Sequence, residues 1–225
     1  MCGGLTYRTS NYDFPGVLEQ NPPMDSDMRK PSFDVRPGMG IPVICNIGDR
    51  RALNFHHWGY QANAKAPLAI NAKAENLETS SYWRSAYRSR RCVIACDGWY
   101  EWVVLHNAPK KPRDRLEAGL TRSGKQRYLI EFQDSPIVFL AGLYGEGAHK
   151  QAGKAGKWQR DTSAVVITTP ACPQISGIGH HRQPVVMSSA IIDLWLDEQC
   201  EHPERLLASQ TYENLLTTAV VAAAK

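Results

Sequence analysis

The chain has 225 residues, 43% hydrophobic and 21% charged, with 17 glycines and 14 prolines, a composition that fits a folded domain and excludes wholesale disorder. Its longest apolar runs, 137–143 and 219–224, fall far short of the roughly 20 residues that cross a bilayer, which excludes a helical membrane span. A formal charge of +4 permits a nucleic-acid partner without demanding one.

In chain order, residues 2–8 read as a short strand. Residues 11–31 carry several prolines and mixed charges and read as a loop with at most one short helix, at 17–20. Residues 33–46 are strand-like around a Pro37-Gly38 turn, 51–60 and 67–71 look extended, and 74–88 has the spacing of a surface helix. The apolar run 91–96 reaches a turn signal at Asp97-Gly98 and continues as Trp99-Tyr100-Glu101-Trp102, so a buried strand delivers an acid among aromatics. Residues 128–132 and 137–144 are expected to pair with each other around 133–136, and 164–169 is a β-branched strand. Two polar segments containing lysine and glycine, near 107–124 and 145–161, read as exposed, mobile insertions without a core. Amphipathic helices are expected at 188–199 and 201–207, before a tail rich in Ala and Val. Strand signals outnumber helical ones and no βαβ rhythm is present. The expected fold is therefore α+β: a single domain over 1–225, with a curved or barrel-like, mostly antiparallel sheet and peripheral helices.

The start of the chain lacks the basic and apolar stretches of a secretory signal, so a cytoplasmic location is expected. In that compartment the six cysteines stay reduced rather than forming a disulfide framework. Cys92 and Cys96 with His180 and His181 lack a second close-spaced pair to complete a tetrahedral set, and neither a metal nor another cofactor is expected.

The chemistry-bearing residues are few. Cys2 follows the initiator methionine, and removal of Met1 would expose an α-amine and a thiol on adjacent carbons, the arrangement that traps an aldehyde as a five-membered thiazolidine. Alone, Cys2 would read as a small buried hydrophobe, Asn71 as a helix cap, Glu101 as a half-exposed strand residue and His180 as a loop residue. Together and in this order, Met1-Cys2-Gly3, Val35 with Pro37-Gly38, Trp58-Gly59, Ile70-Asn71-Ala72 with Glu75, Cys96 to Trp102, Leu140-Ala141-Gly142-Leu143, and His180 to Pro184 before Trp195-Leu196 form a specific pattern.

That pattern resembles the SRAP family, the SOS-response-associated peptidases also described as abasic-site processing proteins, over nearly the whole chain. The resemblance implies covalent capture of abasic sites in single-stranded DNA, giving a crosslink that shields the lesion. Carried over position by position, it implies Cys2 as nucleophile, Asn71 as polar contact, Glu101 as acidic catalyst and His180 as the motif histidine. Arg36, Lys73 and Arg182 would face the phosphates. Gly4 stands where the family has Arg, Asp34 where it has Asn, Arg36 where it has Ala, Lys73 where it has Arg, and Gln183 where it has Met or Arg. Retained crosslinking with altered DNA affinity is the expectation, and Lys73 keeps charge without the bidentate fork of arginine.

Two other readings fit the same residues. A cysteine hydrolase or autopeptidase would use Cys2 or Cys96 as nucleophile with His180 as base. A non-covalent single-strand binder would use Arg84, Arg88, Arg90 and Arg91 with Lys73 and Arg182 as a phosphate track.

Overall fold

The computed structural model describes residues 2–8, 32–48, 50–150, 158–208, 212 and 214–220. The short helix expected at 17–20 lies outside them. Thirteen strands are described: β1 (Gly4–Tyr7), β2 (Ser32–Val35), β3 (Gly40–Ile47), β4 (Arg50–Trp58), β5 (Asn71–Lys73), β6 (Arg91–Cys96), β7 (Gly98–Val104), β8 (Lys125–Phe132), β9 (Val138–Lys150), β10 (Trp158–Pro170), β11 (Arg182–Pro184), β12 (Val186–Met187) and β13 (Leu215–Val220). Four short helices, α1 (Arg84–Ser89), α2 (Pro112–Glu117), α3 (Pro173–Gly177) and α4 (Ser189–Leu196), lie between them. No helix among the described residues is long and apolar enough to cross a membrane.

One sheet has the order β13-β8-β7-β1-β2. The other runs β11-β10-β4-β3-β6-β9-β12, and a further β9–β10 ladder closes β10-β4-β3-β6-β9 into a five-stranded barrel. Pairing is antiparallel except where β4 and β5 run parallel to β10.

Successive side chains of a strand point to opposite faces, so a strand buried on both sides needs apolar residues throughout. β6 shows this. Cys92, Ile94 and Cys96 enter a core shared with Leu5, Trp99 and Ile130 of the first sheet. Val93 and Ala95 enter a second core beneath Tyr87 of α1 and Ile192, Trp195 and Leu196 of α4. β10 divides likewise, Ala164 and Val166 to the first core and Val165 and Ile167 to the second.

The two sheets meet at Asp97-Gly98. The Asp97 N–H donates to Thr6 O at 2.9 Å, and a Cβ on residue 98 would stand 2.6 Å from Ile130 O, so only glycine passes there. This crossing moves the chain from the barrel into the first sheet and sets β7 beside β1.

Several expectations are corrected. The segments 128–132 and 137–144 do not pair: β8 joins β7 and β13, while β9 joins β6, β10 and β12. β8 is only half-buried, whereas Leu140, Ala141 and Leu143 of β9 must fill both cores. Residues 74–88 form a 3-10 turn at Ala74–Asn76 and α1 at Arg84–Ser89 rather than one helix. Ser80 interrupts them, its Oγ accepting from the Tyr82 N–H at 3.2 Å, the local bonding by which serine competes with helix. The presumed insertion at 145–161 is largely ladder, with Gly145 opposite Ser163 and Lys150 opposite Trp158. The one at 107–124 contains α2 and a buried Leu120. The helix at 201–207 is a 3-10 segment, Pro203–Leu207, and the tail contributes β13.

Candidate functional site

β1 is an interior strand of its sheet, with Gly4 opposite Tyr100 and Leu5 opposite Trp99 of β7. Continuing that register toward the N-terminus brings Glu101 beside the residues that precede Gly4. Cys2 and Glu101 are each 0% exposed. Burial above all, then the neighbouring Glu101 and Cys96, pushes the Cys2 thiol well above its ordinary value, so the sulfur stays protonated near neutrality.

Asn71 opens β5, which lies parallel to β10 with Asn71 opposite Val166. Its Nδ2 donates to the Cys2 carbonyl at 2.9 Å, while its buried Oδ1 has no hydrogen-bond partner among the described residues. His180 follows Gly179, whose φ of +90° favours glycine, in the turn between α3 and β11. Its Nε2 is 3.2 Å from Glu101 Oε2, and its Nδ1 is 2.7 Å from the Arg182 carbonyl.

The protons of this pair follow from the hydrogen bonds. A carbonyl only accepts, so Nδ1 carries the hydrogen and Nε2 of the neutral ring offers a lone pair to Glu101. Burial raises the Glu101 carboxyl to about 8 against the lowering effect of the chain's amino terminus, and burial is the main cause that lowers His180. Both shifts favour a protonated carboxyl donating to a neutral imidazole. The arrangement can hold a proton, release it and take it back without building a buried ion pair.

Arg182 does not face phosphate. Its guanidinium is buried, bonded to Glu75 at 2.7 and 3.0 Å and to Thr168 Oγ1 at 3.2 Å, with the Thr168 carbonyl as a further acceptor. A second-row polar role replaces the expected DNA contact: Arg182 ties its own strand to the β5 motif and presents the carbonyl that orients His180. Arg91 likewise leaves the supposed phosphate track. It is buried and donates to the carbonyls of Tyr87, Trp195 and Asp197, holding the C-terminal ends of α1 and α4, where the helix dipole favours a cation.

Lys73 is exposed and lines a 570 Å³ cavity with Asn71, Asn76, Ser80 and Trp83. Arg36 pairs with Asp34 at 2.7 Å and lies 4.7 Å over the Trp102 ring. A Cβ at residue 4 would stand 2.7 Å from Trp102, so Gly4 leaves room for that ring, and Trp102 with His180 and His181 lines a 540 Å³ cavity. Thus Cys2, Asn71, Glu101 and His180 meet in one place, with Lys73 and Arg36 at its approaches. Sequence reading gave no role to Trp83 as a cavity wall or to Glu75 as the partner of Arg182. An aromatic pair, Tyr82-Trp83, in a polar segment was the available signal for the first; for the second there was none.

A barrel joined to a second sheet thus gathers a buried cysteine near the start of the chain and a carboxyl–imidazole pair in one place. The family described as "SOS response associated peptidase (SRAP)" matches residues 1–224, and the chain belongs to it. Similar proteins include the abasic site processing protein YoaM of Bacillus subtilis, 25% identical over 92% of this chain and 83% of the relative. Another is the abasic site processing protein YedK of Escherichia coli, 25% identical over 91% of this chain and 83% of the relative. Among solved structures, a Bordetella bronchiseptica protein shares the fold with a TM-score of 0.68 at 16% identity, over 98% of this chain and 100% of that one. A phage-related protein of the same organism has a TM-score of 0.66 at 22% identity, over 97% and 94%.

Proposed function

We propose that the protein processes abasic sites in single-stranded DNA, capturing the lesion covalently through Cys2 once Met1 has been removed. The observation that carries this reading is the Glu101–His180 pair set against a buried Cys2 whose carbonyl is held by Asn71. The names of the relatives, abasic site processing proteins, supply the substrate.

The abasic deoxyribose opens from hemiacetal to aldehyde when its hydroxyl gives up a proton and its ring oxygen takes one, a transfer suited to the Glu101–His180 pair. The Cys2 α-amine attacks C1′ and forms a carbinolamine. Loss of one water, its oxygen protonated by Glu101, gives an iminium. Cys2 Sγ then closes on the same carbon and its proton passes to the base. Aldehyde and aminothiol thus become thiazolidine and water, with no oxidant required. Asn71 fixes the backbone from which the amine extends. A thiol held protonated is poor as the first nucleophile of a cysteine peptidase but adequate for closing on an iminium, which favours amine-first capture over the hydrolase reading.

The test is intact mass and a denaturing gel after incubation with an oligonucleotide bearing one abasic site. The processed protein should gain the mass of the oligonucleotide less one water and survive denaturation. Cys2→Ala, which keeps an amine, should give only an adduct that needs reduction to survive. A Met1-retaining protein that crosslinks as fast as the processed one would overturn the reading.

A further inference from the structure

A 410 Å³ cavity that neither Glu101 nor His180 lines lies between α1, residues 143–146 of β9, the middle of β10 at Ser163 and Val165, and Tyr60 just after β4. Its size is within the range of about 300–1,000 Å³ typical of small-molecule sites. Three rings form one wall: Tyr82 and Trp83 meet edge to face with centroids 4.6 Å apart, and Tyr60 stands 5.2 Å from Tyr82 and 5.7 Å from Trp83. Arg90 and Glu146 also line it. We propose that this cavity is a nucleotide subsite, in which one base of the bound single strand stacks on Tyr82 while Arg90 meets its phosphate.

The rings are held in place before any ligand arrives. Tyr60 is fixed by paired backbone bonds with Ala69 at 2.8 and 2.9 Å. Tyr82 is fixed at its amide by Ser80 Oγ, at 3.2 Å. Yet Tyr82 is 42% exposed, a large aromatic surface left to water beside a cavity. A flat, sequence-tolerant partner is what such a surface accepts, since every base has a π-face. Among the described residues the Arg90 side chain bonds Ser85 Oγ, at 3.2 Å, and makes no ion pair, Glu146 of the same lining included, which leaves the guanidinium for an anion.

The occupant follows from connectivity. Trp83 walls both this cavity and the one containing Asn71 and Lys73, so a strand leaving the Cys2 cleft past Lys73 reaches Tyr82 by crossing one ring. Arg84 and Arg88, exposed on the same helix, continue the positive surface. The inference rests on the single-strand part of the proposed function but not on the crosslinking chemistry.

Fluorescence anisotropy with two strands of equal length, one of unmodified nucleotides and one built throughout of a tetrahydrofuran base-free analogue, which has no aldehyde to capture, separates the possibilities. Tyr82→Ala should bind the base-bearing strand about tenfold more weakly than the unaltered protein and the base-free strand equally well. Tyr82→Phe, which keeps the ring, should bind both normally, and Arg90→Ala should lower the salt slope by about one on both strands. Equal binding of the base-bearing strand by Tyr82→Ala overturns the subsite, as does an equal loss on both strands, which would make Tyr82 structural. If the unaltered protein binds the base-bearing strand but gives no crosslink, the capture chemistry fails while the subsite stands.

Discussion

Glu101 and His180 hold one proton between them, and pH acts on it directly. Burial raises Glu101 to about 8, so above that pH the carboxyl ionises and the acid that protonates the departing water is lost. Crosslinking at saturating DNA should therefore fall above about pH 8, and Glu101→Gln, slower by about a hundredfold or more, should lack that limb. Stability carries the same signature. Because the folded value exceeds the ordinary 4.5, the contribution of Glu101 is fully present below 4.5 and is lost as pH rises through about 8. His180 and His56, the latter lowered to about 4 chiefly by burial, act in the opposite sense: their contribution is present above 6.5 and is lost as pH falls. Urea midpoints across this range should show a decline toward alkaline pH that Glu101→Gln removes.

At the scale of elements, β10 is the beam on which two distant motifs are mounted. β5 lies along one edge with Lys73 opposite Thr168, and β11 pairs with Pro184 opposite the same residue. The Arg182–Glu75 bridge then spans from one motif to the other. Arg182→Ala should lower stability by about 2 kcal/mol, less than a fully buried pair because Glu75 is partly exposed, at unchanged denaturant slope. It should leave the salt dependence of DNA binding unaltered, whereas Lys73→Ala should reduce that slope by about one. The sequence read such matters unevenly. The apolar run 92–96 of β6 and the β-branched run of β10 are legible because burial on both faces imposes composition. Partner choice is not: β8 and β9 follow each other closely yet enter different sheets, and only the need of both cores for Leu140, Ala141 and Leu143 decides it. Cys2, Asn71, Glu101 and His180 were legible through the family pattern. Arg182 was misread because an arginine in a motif carries no mark saying whether its partner is a phosphate or the Glu75 of the same chain.

The whole molecule is assembled from long-range pairings, and its first strand is closed in by segments made much later. Cys2 is covered by contacts with Asn71 and by the strand that carries Glu101, and His180 is later still. At about 5–20 residues per second, a ribosome takes on the order of 5–20 s to reach β7. Until then Cys2 is open; afterwards it is buried, two residues ahead of an interior strand. The maturation implied by the proposed chemistry thus has a deadline set by translation rather than by the affinity of the processing enzyme. Protein synthesised with its methionine aminopeptidase inhibited should resist later trimming by the same enzyme while native. Brief unfolding before the enzyme is added should restore both removal of Met1, read by mass, and crosslinking. Equal trimming of the native protein would mean that β1 opens far more readily than its burial implies.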